Sequence, residues 1–530
     1  MTLTGSSNGM YNIQKSDGKQ TYGDIIANIN KRFFEDKLSF VANVGASLSD
    51  LKWNQLGNRG PIDENLIPNV FTVTQINRAR LIPEQSGYHD QTKSLFASVE
   101  LGWRSRLYLT MTGRNDWPSM LAGPHSNKSS FFYPSIGSSW IISESFNLPQ
   151  QIDYLKVRAS FASVGLSFPR WYANPKYTWD ENKKQWSSQT TYPMYNLKPE
   201  RTDSWEFGLQ TRLFKHFNID LTYYLTKTYN QTFDPKISAS SGYSKMYIQT
   251  GNVRNQGLEL ALGYNNTWGD FSWRSNYTFS MNRNKIKELV TAYVHPQTKA
   301  LITVDKLDEG GLGAAHFILK KGGTLGDLYS LSDIQRDSNG KVYVDEDGKV
   351  YKNTNVEDIK LGSIFPKSNM AWRNEFSWKG LNLGVMVAAR FGGIVYSATQ
   401  ANLDYYGVSK TTANIRDKGG VSINDGENII NPETWFTTIG ASDGIPIFYT
   451  YSATNVRLQE ASIGYTFKKN VLFGFGELTF SLVGRNLLML YCKAPFDPET
   501  TATTGNYYQG IDKFMTPSSR NLGFNIKLKF

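Results

Sequence analysis

Along most of this chain apolar residues recur at every second position, and nowhere do they gather into a run long enough to cross a bilayer as a helix. A helix that spans hydrocarbon needs roughly 18 or more consecutive apolar residues. Strict alternation is instead the period of a strand with one apolar and one polar face. In KLSFVANVGASL the apolar set is Leu38, Phe40, Ala42, Val44, Ala46 and Leu48; in SLFASVELGW it is Leu95, Ala97, Val99, Leu101 and Trp103. In SWEFGLQTRLF, Trp205, Phe207, Leu209 and Leu213 oppose Glu206, Gln210 and Arg212. The next run sets Phe217, Ile219, Leu221, Tyr223 and Leu225 against Asn218, Asp220 and Thr222. Only Lys215 and His216 separate these two runs, which predicts a tight hairpin. The last ten residues, NLGFNIKLKF, alternate to the final Phe530.

About fifteen such segments, most of about 8 to 14 residues, fit the roughly 9–11 residues of a tilted membrane strand. Their connections are unequal. Some are a few residues long, whereas long stretches separate Leu166 from Arg201, Ile286 from Lys367 and Tyr396 from Ser452. Short turns at one end and long loops at the other characterise outer-membrane barrels. Charges recur on the polar face, at Glu206, Arg212, Asp220, Glu259 and Arg274, where a water- or plug-filled lumen would solvate them. The expected fold is therefore all-β, an antiparallel transmembrane β-barrel with long extracellular loops and no amphipathic helix of note. A closing strand at the chain end would pair on both edges, leaving no N–H or C=O facing lipid.

Composition removes competing classes. A lone cysteine, Cys492, excludes an internal disulfide framework, and five histidines are scattered singly, without a zinc-binding spacing. Net charge is +11, but the cations are dispersed rather than striped, so no nucleic-acid partner is expected. GSSNG places Ser7 in a nucleophile-elbow pattern that needs a strand before it and a helix after it; here it reads as a loop. No nucleophile is matched with a base, so no enzyme is expected.

Several blocks resemble the SusC/RagA family of TonB-dependent outer-membrane transporters. These are LTMTGRNDWPSML with SSFFYPSIGSSWIISE, LKPERTDSWEFGLQTRLF, GNVRNQGLELALGY, LGSIFPKSNMAWRNEFSWKGLNLGVMVAARFGG, NVRLQEASIGYTF and VGRNLLMLYCKAPFDPE, the last including Asp497, Pro498 and Glu499. They fall in family order from about residue 20 to 530. The resemblance implies a 22-stranded TonB-dependent receptor barrel occluded by an N-terminal plug. It further implies uptake of glycans or peptides across the outer membrane of Bacteroidota, with a SusD-like surface lipoprotein as lid and energy from TonB-ExbB-ExbD through the plug. No plug, TonB box or signal peptide is read in this sequence, and about fifteen strands are too few to close that barrel. Residues 1–530 are thus expected to be the C-terminal portion of a longer receptor. The alternatives are a siderophore- or cobalamin-type receptor and a non-transporting surface adhesin or structural barrel.

Two sets of residues are candidates for binding. FPRWYANPKYTWDENKKQW carries Trp171, Tyr172, Tyr177, Trp179 and Trp186, and NLDYYGVSK carries Tyr405 and Tyr406. Aromatic faces suit sugar rings and peptide side chains, but also loop packing or a partner protein. In RDSNGKVYVDEDGKVY, Asp345 and Asp347 could share a structural Ca²⁺, or simply belong to ordinary turns at Asn339-Gly340 and Asp347-Gly348. No other cofactor is expected. Arg114 and Asp116, where a strand leaves the barrel, are expected to pair.

Overall fold

The structure is a computed structural model that describes residues 8–123, 126, 128–172, 177–180, 184–187, 191–192, 197–233, 243, 245–294, 301–467, 476–500 and 508–529. Ser7 and Phe530, on which two of the expectations above rest, lie outside the described residues. Fifteen strands form one sheet: β1 (Met10–Phe33), β2 (Leu38–Pro61), β3 (Ile82–Trp103), β4 (Leu107–Pro118), β5 (Phe131–Ile141), β6 (Ile152–Leu166), β7 (Glu200–Leu213), β8 (Phe217–Phe233), β9 (Ile248–Trp268), β10 (Phe271–Glu288), β11 (Ser368–Trp378), β12 (Leu381–Phe391), β13 (Asn455–Phe467), β14 (Glu477–Cys492) and β15 (Asn521–Lys529). Each pairs antiparallel with its neighbour in sequence, without a crossover. Among the described residues β1 pairs with β2 alone and β15 with β14 alone.

Because the strands run in order, alternate connections lie at opposite ends of the sheet. At one end are 34–37, 104–106, 142–151, 214–216, 269–270 and 379–380; at the other are 62–81, 119–130, 167–199, 289–367, 392–454 and 493–520. The expected asymmetry of loops is present. The β7–β8 turn differs in detail. It holds three residues, Phe214, Lys215 and His216, with Leu213 opposite Phe217. Phe214 and Lys215 are left-handed (φ 51° and 62°), which lets the chain reverse within that length.

One face of the sheet is apolar across all its strands. Val44, Ala97 and Gly113 share a register row, as do Phe161, Trp205 and Leu225, and Leu383, Ile463, Leu482 and Phe524. Many of these side chains are exposed, Leu95, Phe207, Ile463, Leu482 and Phe524 among them. In water so broad an apolar surface would drive association; in hydrocarbon it is the favourable face. Trp140, Trp268, Trp378 and Tyr465 edge it near the short-turn end, the position of an interfacial aromatic girdle.

The first three strands are longer than their alternation predicts, at 24, 24 and 22 residues. Their long-loop halves, such as SDLKWNQLGNRGP in β2, lack the period because neither face there needs to meet lipid.

The largest apolar core lies in the long loops. Phe317, Leu328, Ile334, Tyr396, Ile430, Trp435, Phe436, Ile439, Tyr449 and Ile511 are buried together. Three helices contribute, α1 (Ala398–Tyr405), α2 (Lys410–Asp417) and α3 (Pro432–Ile439), and α3, with Trp435, Phe436 and Ile439 buried, corrects the expectation that no amphipathic helix of note is present. Each starts on a side-chain cap: Ser397, Ser409 and Asn431 accept the N–H groups of Gln400, Thr412 and Glu433. A parallel bridge from Tyr396 and Ser397 to Ile511 and Asp512 ties the 392–454 and 493–520 loops into one folded unit.

Candidate functional site

The polar face of the sheet carries charged side chains, several of them paired. Arg158 on β6 reaches across β7 to β8, where Nη2 donates to Asp220 at 3.1 Å and to Thr222 Oγ1 at 2.5 Å. The intervening residue is Gly208, level with Arg158 and Thr222. A Cβ there would lie 2.4 Å from Arg158 Nε, so the absent side chain is what lets the guanidinium cross. A second ladder alternates in sign over β10 to β14: Arg274–Glu375 at 3.7 Å, Glu375–Arg373 at 2.8 Å, Arg373–Glu460 at 3.3 Å and Glu460–Arg485 at 3.0 Å. Three arginines meet two glutamates there, so most of the charge is offset and the wall presents hydrogen-bonding capacity with a small positive excess. Such a surface is costly against hydrocarbon and well suited to water or a polar domain.

Arg114 and Asp116 pair as expected. Arg114 Nε donates to Asp116 at 2.8 Å and to the Tyr133 hydroxyl at 3.0 Å, while Nη2 donates to Ser94 at 2.7 Å. The Tyr133 hydroxyl also donates to Asp116. The cluster joins β3, β4 and β5 at the base of the 119–130 loop and uses the residues of the TGRNDW and FFYPS blocks.

At the floor of the loop unit, Arg457 in β13 grips Asp497, donating from Nη2 at 2.8 Å and from Nη1 at 3.1 Å. Its Nη2 lies 3.4 Å from Glu499, whose carboxylate also accepts from Asn455 Nδ2 at 2.9 Å. Arg457 is only 6 % exposed, so this is a buried, bidentate pair. Burial pushes the Asp497 carboxyl up, but the hydrogen bonds from Arg457 and the Glu499 N–H outweigh it and hold it below the usual carboxylate value. Sequence reading singled out Asp497 and Glu499 by resemblance; Arg457 it missed, because the partners lie 40 residues apart. Its one local hint is an arginine at the loop end of an alternating strand.

The candidate aromatics divide by environment. Trp179 and Trp186 face each other across a short hairpin, Thr178–Asp180 with Gln185–Ser187, edge to face at 5.5 Å. Both are exposed, Trp186 at 66 %, and Trp171 and Tyr177 in the same loop are exposed too. Tyr172 is different: it stacks on Tyr247 at 3.9 Å and packs against the buried Leu121, Phe168 and Leu197. It staples loops together. Tyr405 and Tyr406 end α1 in another loop, edge to face at 5.0 Å, with Tyr406 71 % exposed.

Asp345 and Asp347 lie in the second of two matching turns. Asp337 Oδ1 accepts the N–H groups of Asn339 and Lys341 at 2.8 and 3.0 Å; Asp345 Oδ1 accepts those of Asp347 and Lys349 at 3.0 and 2.8 Å. Gly340 and Gly348 supply the left-handed residue each turn requires (φ 80° and 75°). The second Asp345 oxygen accepts from the Tyr351 hydroxyl at 2.5 Å, whereas Asp347 faces solvent 3.6 Å from Lys349. Among the described residues no group of three or more His, Cys, Asp or Glu side chains is placed to hold a metal ion.

Comparisons with known proteins agree with this architecture. The family described as TonB dependent receptor-like, beta-barrel matches residues 2–487. The TonB-dependent receptors P3 and P26 of Formosa agariphila are 23 % and 25 % identical, over 96 % and 85 % of this chain and 53 % and 47 % of their own lengths. A chain of the RagAB peptide transporter superposes with a TM-score of 0.74 at 17 % identity, covering 98 % of this chain and 56 % of its own; the closed-closed state of the RagAB peptide importer gives 0.71. The chain spans about half the length of the curated relatives it matches. Because that family model matches most of the chain, this chain belongs to the TonB-dependent receptor-like β-barrels.

Proposed function

We propose that this chain is the C-terminal barrel portion of a SusC/RagA-like importer of the outer membrane, taking up peptides or glycans. The observation that carries the reading is the opposition of the two faces of the sheet: hydrocarbon-compatible outside, charge-paired inside, with a folded unit at the long-loop end. A passage built this way needs an occluding domain, and the resemblance supplies one in a plug preceding these strands. Strand direction fits that placement. β1 runs from the long-loop end to the short-turn end, so an odd number of strands must precede it if the first rises from the periplasm; closing a 22-stranded barrel around these fifteen requires seven. The loop unit would then meet a SusD-like lipoprotein, and the plug would meet TonB-ExbB-ExbD. That similar folds occur in a peptide transporter favours peptides as the first class to test.

The test is uptake by cells that carry or lack the full-length gene, with labelled oligopeptides and oligosaccharides as sole nutrient. Uptake of one class that vanishes on gene deletion and on TonB depletion supports the proposal. Unchanged uptake of both classes in the deletion strain would sink it.

A further inference from the structure

Among the described residues, one outward patch of charge lacks counter-ions. On β8, β9 and β10 the outward face climbs in register rows: Leu221, Leu260 and Phe279; then Tyr223, Leu258 and Met281; then Leu225, Gln256 and Arg283; then Lys227, Arg254 and Lys285. Rows two residues apart rise about 5 Å each on strands tilted by roughly 40°. From Phe217 to Leu225 the face therefore covers about 20 Å, nearly the whole apolar band of about 25 Å. Arg283, Lys227, Arg254 and Lys285 begin where that band ends, at the long-loop end, and Lys287 follows them at the bulge between the Ile286–Val253 and Glu288–Asn252 pairs.

These cations are close enough to act on each other: Lys287 feels the like charges of Arg254, Lys285 and Lys227. Among the described residues none of the five is in an ion pair. Nearby carboxylates are few among the described residues. Asp203 is level with Lys227 but is engaged by Arg201 at 2.8 Å, and Glu288 lies opposite Asn252. Other arginines toward the long-loop end have partners, as in Arg59–Glu84 at 2.6 Å and Arg170–Asp90 at 2.5 Å.

Like charges gathered beside an apolar band repel, and they are kept economically only where an anion comes from outside. At this depth, on the lipid-facing side, the anions present in quantity are headgroups. Two arginines offer forked donors that match phosphate oxygens, and three lysines add mobile point charges. We propose that Lys227, Arg254, Arg283, Lys285 and Lys287 form a binding site for a phosphorylated lipid headgroup of the outer leaflet. The site rests on placement of the barrel in a membrane and is independent of what the receptor imports.

The test is native mass spectrometry of the full-length protein in non-ionic detergent, titrated with bis-phosphorylated lipid A and with its dephosphorylated form. The wild type should carry the phosphorylated lipid and not the dephosphorylated one. R254Q/R283Q/K285Q should bind at least about tenfold more weakly, through loss of charge-assisted contacts. A control that removes three loop cations, K321Q/K410Q/K418Q, should bind like the wild type. Equal adducts with both lipids, or equal binding by the first variant and the wild type, would overturn the site. Inorganic phosphate binding as tightly as the lipid would overturn its assignment to a headgroup. Heat-modifiable mobility on gels reports barrel assembly separately, and if the variant does not assemble, the wild-type comparison of the two lipids still decides.

Discussion

Arg457 is the residue whose loss should be felt most. Removing it leaves the largely shielded Asp497 carboxylate without its partner, and breaking a buried pair from one side costs about 3–5 kcal/mol. Arg457→Ala should therefore open the 493–520 loop to limited proteolysis while the barrel still migrates as a folded species. The same contact sets an acid limit. The Asp497 carboxyl is held below its ordinary 3.8, so its stabilisation is complete above that value and is lost as pH falls through the lower folded-state value. Protease sensitivity of the wild-type loop should rise below about pH 4, and Arg457→Ala should show a smaller step. Asp345 belongs to a different kind of residue. It repeats the turn of Asp337, which has no acidic neighbour within its turn, so its bonds already satisfy one oxygen twice and the other once. Asp345→Ala and Asp337→Ala should each loosen their turn, seen as faster amide exchange at Lys349 and Lys341. Added Ca²⁺ should leave the exchange at Lys349 unchanged; protection that appears only with Ca²⁺ would restore the ion.

Strands and helices were not equally legible in the sequence, and the reason is the solvent on either side of each. Where a strand has lipid on one face and water on the other, alternation is compulsory, and β7, β8 and β15 are read almost residue by residue from it. The long-loop halves of β1 to β3 and the whole loop unit have no lipid face, and there the period fails. Helix α3, which the sequence reading missed, carries a local signal all the same: Asn431 as cap, Pro432 at the first position and Glu433 in the first turn, ahead of Trp435, Phe436 and Ile439. Long-range pairs such as Arg457–Asp497 and Tyr172–Tyr247 left no such trace, because neither partner needs a sequence neighbour. Two substitutions test this division. Leu260→Arg places a charge on the lipid face and should cost about 2–4 kcal/mol and impair assembly, while Glu259→Arg, one residue away and facing the lumen, should assemble. Trp435→Ala should cost the loop unit about 3–5 kcal/mol without affecting the strands below.

At the scale of the whole molecule, the question is which loop groups meet a ligand and which only hold the loops together. A ligand that enters from the long-loop end reaches the exposed aromatics before it reaches the charged wall. Trp179 and Trp186 are suited to a first contact, since their mutual edge-to-face packing fixes two large rings in advance and little further entropy is lost on binding. Tyr172 is chemically similar but occupied, stacked on Tyr247 within a buried cluster. Trp179→Ala with Trp186→Ala should then weaken ligand capture by the full-length receptor about tenfold, the loss of one to two aromatic contacts, and leave its melting temperature unchanged. Tyr172→Ala should do the reverse, raising protease sensitivity of the 167–199 loop with a smaller change in affinity. Isothermal titration with the nutrient class identified by uptake, run beside thermal unfolding of both variants, separates the two roles. If the tryptophan pair proves neutral for binding while lipoprotein association weakens, those rings belong to the lid interface, and ligand contact must begin lower, at the charge-paired wall itself.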